Sequence, residues 1–127
     1  MKRIGQVVLG LVSVLAATAP ARADPERGQT LFAACAACHE TGPASGRRAP
    51  SLKGIIGRPA GSLTDFRYSR AMSQSGIVWT DETIRKFIQS PQAFIPGNRM
   101  PFSGIPSEAD RADIVDYLKT ISTESRS

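Results

Sequence analysis

Both cysteines and the only histidine of this 127-residue chain fall within five consecutive positions, Cys35-Ala36-Ala37-Cys38-His39. Two thiols at this spacing can each add to one vinyl group of a haem, and the histidine that follows is then delivered beneath the iron as proximal ligand. The motif therefore reads as a covalent haem attachment site. Rival uses of the same residues fit less well. A thioredoxin-like pair opens a helix within a strand–helix–strand unit, and no convincing strand is legible here. A structural zinc site needs four protein ligands, and no second Cys or His pair exists. A bare Cys35–Cys38 disulfide would close a very small loop and leave His39 without a role.

The first residues read as an address. Lys2 and Arg3 precede an apolar run of 14 residues from Ile4 to Ala17, and Ala21-Arg22-Ala23 supplies an A-x-A cleavage site. This is the pattern of a secretory signal peptide over 1–23, and the run falls short of the ~20 residues that a membrane span needs. Cleavage after Ala23 leaves a single domain over 24–127, 104 residues long, with no transmembrane segment. The formal charge of +5 misleads, because Lys2, Arg3 and Arg22 leave with the signal and the mature polypeptide is +2. Two haem propionates bring it close to neutral, so the basic balance is no argument for nucleic-acid binding. Arg47, Arg48, Lys53, Arg58, Arg67, Arg70 and Arg99 occupy the middle of the chain, whereas Glu108, Asp110, Asp113 and Asp116 crowd its end.

Along the mature chain the pattern is all-α. Asp24 can cap a helix with Pro25 at its first position and Glu26 in its first turn, running to about Ala34 and delivering Cys35 at its end. From Glu40 to Gly76 the chain is broken by repeated Gly and Pro, with at most one short helical piece near Ser69 to Ser75. So long an ordered loop in a small domain needs something large to organise it, and a buried haem would serve. Thr80 is the next N-cap candidate, with Ile84, Phe87 and Ile88 on one helix face and Pro91 as the stop. An extended segment follows from Pro96-Gly97 through Pro106. Ser107, with Asp110 three positions on, opens the last helix, whose apolar face is Ile114, Val115, Tyr117, Leu118 and Ile121.

With His39 the only histidine, the sixth iron position falls to Met, to Lys, or to nothing. Met100 stands 61 residues after His39 in a segment stiffened by Pro96 and Pro101, which can present a thioether across a ring. Met72 reads as packing or as a loop edge.

Taken together, Cys35-Ala-Ala-Cys-His39, Gly57-Arg58-Pro59, Gly76-Ile77-Val78-Trp79-Thr80, Phe94-Ile95-Pro96-Gly97-Asn98-Arg99-Met100 and Arg111-Ala-Asp113-Ile114-Val115-Asp116-Tyr117-Leu118 resemble the class I, mitochondrial-type cytochrome c family, here of a bacterial periplasmic kind. The match runs in family order through nearly all of 24–121. The resemblance implies the cytochrome c fold, a few helices and long ordered loops wrapped around one covalent haem c on Cys35 and Cys38. It implies that the Pro50 carbonyl accepts the ring N–H of His39, that Arg58, Tyr68 and Trp79 hydrogen-bond or neutralise a buried propionate, and that Asn98 donates a hydrogen bond at the site. Gly28, Phe32, Ile114 and Tyr117 resemble the crossing of first and last helices. Phe87 and Met72 depart from the family, which often has Tyr and a polar residue at those positions.

A His39/Met100 iron has no open site for substrate, and thioether ligation favours the ferrous state. The expectation is a periplasmic, monomeric one-electron carrier rather than an enzyme. Its partners would be redox proteins, donor and acceptor, respiratory or photosynthetic membrane complexes among them. The alternatives are a haem enzyme or gas sensor with a vacant sixth site, or a dedicated electron-accepting subunit of a dehydrogenase.

Overall fold

The computed structural model describes residues 5, 9–19 and 21–124. Of the expected signal peptide, residues 1–4 (Lys2 and Arg3 among them), 6–8 and 20 lie outside this set, as do residues 125–127 of the expected domain. Among the described residues there are six helices and, in place of a sheet, one isolated antiparallel bridge between Pro59 and Val78. The cytochrome c expectation of helices joined by long ordered loops is what the chain adopts.

The first helix, α1 (Pro25–Leu31), starts where the sequence places it. The Asp24 carboxylate accepts from the backbone N–H groups of Glu26 and Arg27, and Pro25 stands at the first position, where no N–H is needed. The helical path continues further than expected. After Phe32 it resumes as α2 (Ala33–Ala36), so Cys35 lies inside a helical turn rather than after one. The loop then runs to α3 (Arg70–Ser73), one turn capped by the Ser69 hydroxyl. Between them the Gly- and Pro-rich chain is tied to itself. Ser45 donates through its backbone N–H (2.8 Å) and hydroxyl (2.9 Å) to Asp65, and Leu52 N–H donates to Glu40 O at 2.9 Å.

Next, α4 (Asp81–Gln89) opens with a capping box in which Thr80 and Thr83 exchange hydrogen bonds, and it buries Ile84, Phe87 and Ile88. Pro91 is more than a stop: it begins α5 (Pro91–Phe94), because its fixed φ suits a first helical position as well as it disrupts an interior one. The last helix, α6 (Glu108–Thr123), is capped by Ser107, whose hydroxyl accepts from Asp110 N–H, and it buries Ile114, Val115, Leu118 and Ile121. Tyr117 is half-buried on its flank, against Phe32, with ring centroids 5.1 Å apart.

The crossing of α1 and α6 is the most extensive contact between helices. A β-carbon at Gly28 would lie 1.9 Å from the Asp113 carbonyl oxygen, so the two backbones approach as closely as two helices can. Arg27 spans the crossing to both Asp110 and Asp113, and Lys119 joins α6 to α4 through Asp81 at 2.6 Å. Burying an aliphatic or aromatic side chain stabilises by about 1.5–3 kcal/mol, and Phe32, Ile114, Val115 and Leu118 do so at this junction.

Because the obstacle is backbone, Gly28→Ala must force α1 and α6 apart. Overpacking of this kind costs about 1–3 kcal/mol. Guanidinium unfolding followed by circular dichroism should show a lower midpoint, and an unchanged one would contradict the crossing geometry.

Candidate functional site

The turn that follows α2 brings the sequence motif into register. Cys38 N–H donates to Cys35 O at 3.0 Å and His39 N–H to the same carbonyl at 2.8 Å, so both thiols and the imidazole are carried by one continuous turn. All three line a cavity of about 760 Å³, within the usual range of about 300–1,000 Å³ for pockets that hold large ligands. No disulfide joins Cys35 to Cys38, so both sulfurs are available for attachment.

The ring Nδ1 of His39 lies 2.8 Å from Pro50 O. A carbonyl only accepts, so Nδ1 carries the proton and Nε2 is left as the free lone pair, the form that ligates a metal. Burial holds the imidazole below its ordinary pKa, with the Pro50 bond opposing, and this favours the neutral ring.

Behind the motif the cavity wall is apolar: Phe32, Ile84, Phe87, Ile88, Ile114 and Leu118. Trp79, 8 % exposed, packs against Phe87 in a tilted contact with centroids 5.1 Å apart and planes at 59°. Arg58 and Tyr68 stand in the same wall. Arg58 donates through Nη1 to Ser51 O at 2.7 Å and through Nη2 to Lys53 O, and burial lowers the pKa of its guanidinium. Burial also raises that of Tyr68. A half-buried guanidinium hydrogen-bonded to carbonyls has charge left to neutralise, and the carboxylates of a haem suit it.

Met100 is half-buried in the wall. Its N–H donates to Asn98 Oδ1 at 2.9 Å. The Asn98 amide in turn donates to Pro91 O (2.9 Å) and Ile95 O (2.8 Å), so the side chain is fully committed to backbone. Asn98 is 5 % exposed and does not line the cavity. Sequence reasoning put it among the groups that touch a cofactor; the structure puts it behind Met100, holding that residue in place. Met72, read as packing or a loop edge, packs against the core and also lines the cavity. The lysines that remained as candidate ligands, Lys53, Lys86 and Lys119, are not among the residues of the wall.

Two further anchors were not foreseen. Arg111, 7 % exposed, donates from Nη1 to Ile105 O (2.7 Å) and Pro106 O (2.6 Å), clasping the segment that follows Met100. A signal existed, since Arg111 precedes Ile114, Val115 and Leu118 at the spacing of one helix face and so falls on the buried side. Asp65, a wall residue held below the usual carboxylate range by Ser45, carried none: its partner is 20 positions away.

A thiol pair, a neutral imidazole, a thioether and an apolar wall with a guanidinium and a phenol are the donor set of a covalently held haem, and the cavity has room for one. The comparisons agree. The cytochrome c family model matches residues 25–122. A cytochrome c2 of Rhodomicrobium vannielii is 38% identical over 121 residues, covering 94% of this chain and 97% of that one. A cytochrome c2 of Rhodoblastus acidophilus is 46% identical over 96 residues, 75% of this chain and 90% of its own. Among solved structures, cytochrome cH from Methylobacterium extorquens superposes with a TM-score of 0.73 at 35% identity, covering 76% of this chain and 98% of that one. The chain belongs to the cytochrome c family, as a monohaem electron carrier of the bacterial class I type that holds its haem covalently.

Proposed function

We propose that the chain is exported, cut after Ala23, and works in the periplasm as a monomeric one-electron shuttle between redox proteins, with its iron held between His39 and Met100. The observation that carries this reading is the shared wall: both thiols, an imidazole with Nε2 free and the Met100 thioether face one cavity. When bound, a haem supplies a ferric/ferrous couple there. The protein's part is to hold the ligands still and the surroundings dry. Pro50 fixes the His39 ring and raises its basicity. Asn98 and Arg111 fix the backbone on either side of Met100. Arg58, Tyr68 and Trp79 would hydrogen-bond or neutralise the propionates, and Cys35 and Cys38 would keep the group from leaving.

Export is supported by the leader pattern and by the described part of the leader itself: Leu9, Leu11, Val12, Val14 and Leu15 are 84–92 % exposed, without contact to the core. Among the described residues no helix is long and apolar enough to cross a membrane. Docking would use the mouth of the cavity, where Arg47, Arg48, Arg67 and Arg99 are exposed. A carrier role rather than catalysis follows from ligation on both faces, since the chain's one histidine is already spent.

An optical spectrum of the ferric protein tests the ligand set, because Met–iron ligation gives a weak red band that a vacant or Lys-ligated site lacks. Met100→Ala should abolish that band, admit azide, and lower the midpoint potential by at least about 59 mV, a tenfold change in a one-electron equilibrium. Met72→Ala should do none of these. A wild-type protein that lacks the band, with a spectrum unchanged by Met100→Ala, would promote the open-site enzyme reading, whereas a band that survives Met100→Ala would point to Met72, the other methionine of the wall.

Asn98→Ala strands the Met100 N–H and leaves the Pro91 and Ile95 carbonyls with one backbone partner each. It should cost about 1–3 kcal/mol in chemical unfolding and weaken the red band without shifting the haem stoichiometry.

The arginine mouth should steer an acidic redox partner over a Debye length of about 10 Å at 0.1 M salt. Stopped-flow electron transfer should slow as salt rises, and Arg99→Glu should be slower than wild type at low salt and equal to it at high salt. A rate independent of ionic strength would remove the charged docking face.

A further inference from the structure

The buried carboxylate of Asp113 is short of positive charge. It is 5 % exposed, on the face of α6 that meets α1. Its Oδ2 bonds Arg27, whose other terminal nitrogen is given to Asp110, so two carboxylates share one guanidinium. The remaining oxygen, Oδ1, accepts from the backbone nitrogen of Asp24 at 2.8 Å, across 89 positions of sequence. With residue 23 attached that nitrogen is a neutral amide. It is also the nitrogen that cleavage after Ala23 would release.

We propose that removal of the leader converts this hydrogen bond into an ion pair between the new α-ammonium of Asp24 and Asp113, so that processing itself tightens the α1–α6 crossing. The inference deepens the export reading and rests on it. In the cut, catalysed by a signal peptidase, water adds across the Ala23–Asp24 peptide. The C–N bond breaks, the hydroxyl stays with Ala23 as its carboxylate, and the Asp24 nitrogen takes the protons to become an ammonium at neutral pH. Two cations then face Asp110 and Asp113, in place of one.

The neighbours decide whether the ammonium is favoured. On α1 the Asp24 carboxylate and Glu26 favour it, whereas Arg27 and the positive helix end oppose it. On α6, Asp110 and Asp113 favour it. Four carboxylates outweigh one guanidinium and a fractional dipole charge, and Asp24 keeps its cap of α1 at the same time. A cut one residue later would remove both the cap and the paired nitrogen.

The sign in pH follows from a raised folded-state pKa. An ordinary α-amino group titrates near 7.7–8.0. The pair therefore stabilises fully below about pH 7.5, and this contribution is lost as pH rises through the folded value, in the window of about pH 8–10. Asp24 is itself exposed, so solvent screening limits the shift to about half a unit to one unit, or about three- to tenfold in the unfolding equilibrium.

The test uses holoprotein with two defined starts, one at Asp24 and one with two additional alanines before it, each with Asp113 and with Asp113→Asn. In the Asp24 start the α-amino group, followed by NMR, should titrate above its ordinary range and return to it in Asp113→Asn. Stability should fall between pH 8 and 10 only where a free Asp24 amine meets Asp113. An ordinary amine pKa in the Asp24 start, indifferent to Asp113, overturns the pair. The mass of the exported protein tests processing separately: a start other than Asp24 overturns the claim that maturation forms the pair, whatever the titrations give.

Discussion

The approach of Gly28 to the Asp113 carbonyl is the constraint on which the rest of the molecule turns. Because no side chain intervenes, Phe32 reaches Tyr117, and the turn that carries Cys35, Cys38 and His39 begins from a fixed point. The opposite partner in that contact, α6, sends Ile114 and Leu118 into the back of the cavity. One close contact between chain ends thus sets the distance between the anchor of the haem and the surface it must rest on. Packing at this density leaves little room to adjust.

The other side of the cavity is held by a different device. The residues around Met100 form no element of their own; they are bonded to carbonyls at or just beyond the ends of α4 and α5. Ile105 N–H donates to Ile88 O near the end of α4, at 2.8 Å, and the Asn98 amide bonds Pro91 O of α5 and Ile95 O just beyond it. Gly104 is needed there, with φ at 117° and a would-be β-carbon 2.1 Å from Gln89 O. Arg111 reaches across from α6 to close the segment. An irregular strip of chain becomes rigid by borrowing the hydrogen-bonding capacity of its neighbours.

What could be read in advance divides along physical lines. Local rules sufficed for Asp24, Thr80 and Ser107, since capping depends on residues three positions apart. The Cys35–His39 motif was legible for the same reason; of the positions the family pattern pointed to, Pro50 stands against His39 and Arg58, Tyr68 and Trp79 line the same cavity. Local rules failed where the partner is remote. Asp65 gave no sign because its partner Ser45 stands 20 positions away, and the resemblance that gave Asn98 a hydrogen bond to donate did not say that the Pro91 and Ile95 carbonyls receive it. Pro91 was read as a stop because the same fixed φ that ends one helix also begins another. The loop from Glu40 to Gly76 was read as organised by a haem, and Ser45 and Asp65 add a tie of their own between two of its arms that no local pattern showed.

The rim of the cavity is built of arginine, with Arg47, Arg48, Arg67 and Arg99 exposed around the opening, while two of the three lysines beyond residue 23, Lys86 and Lys119, are engaged in ion pairs elsewhere. Guanidinium groups do not lose their charge anywhere short of strong alkali, and each offers a planar fork matched to a carboxylate. Whatever acidic surface meets this rim is therefore read by angle as well as by sign. Reagents that modify amines would leave these four guanidinium groups untouched.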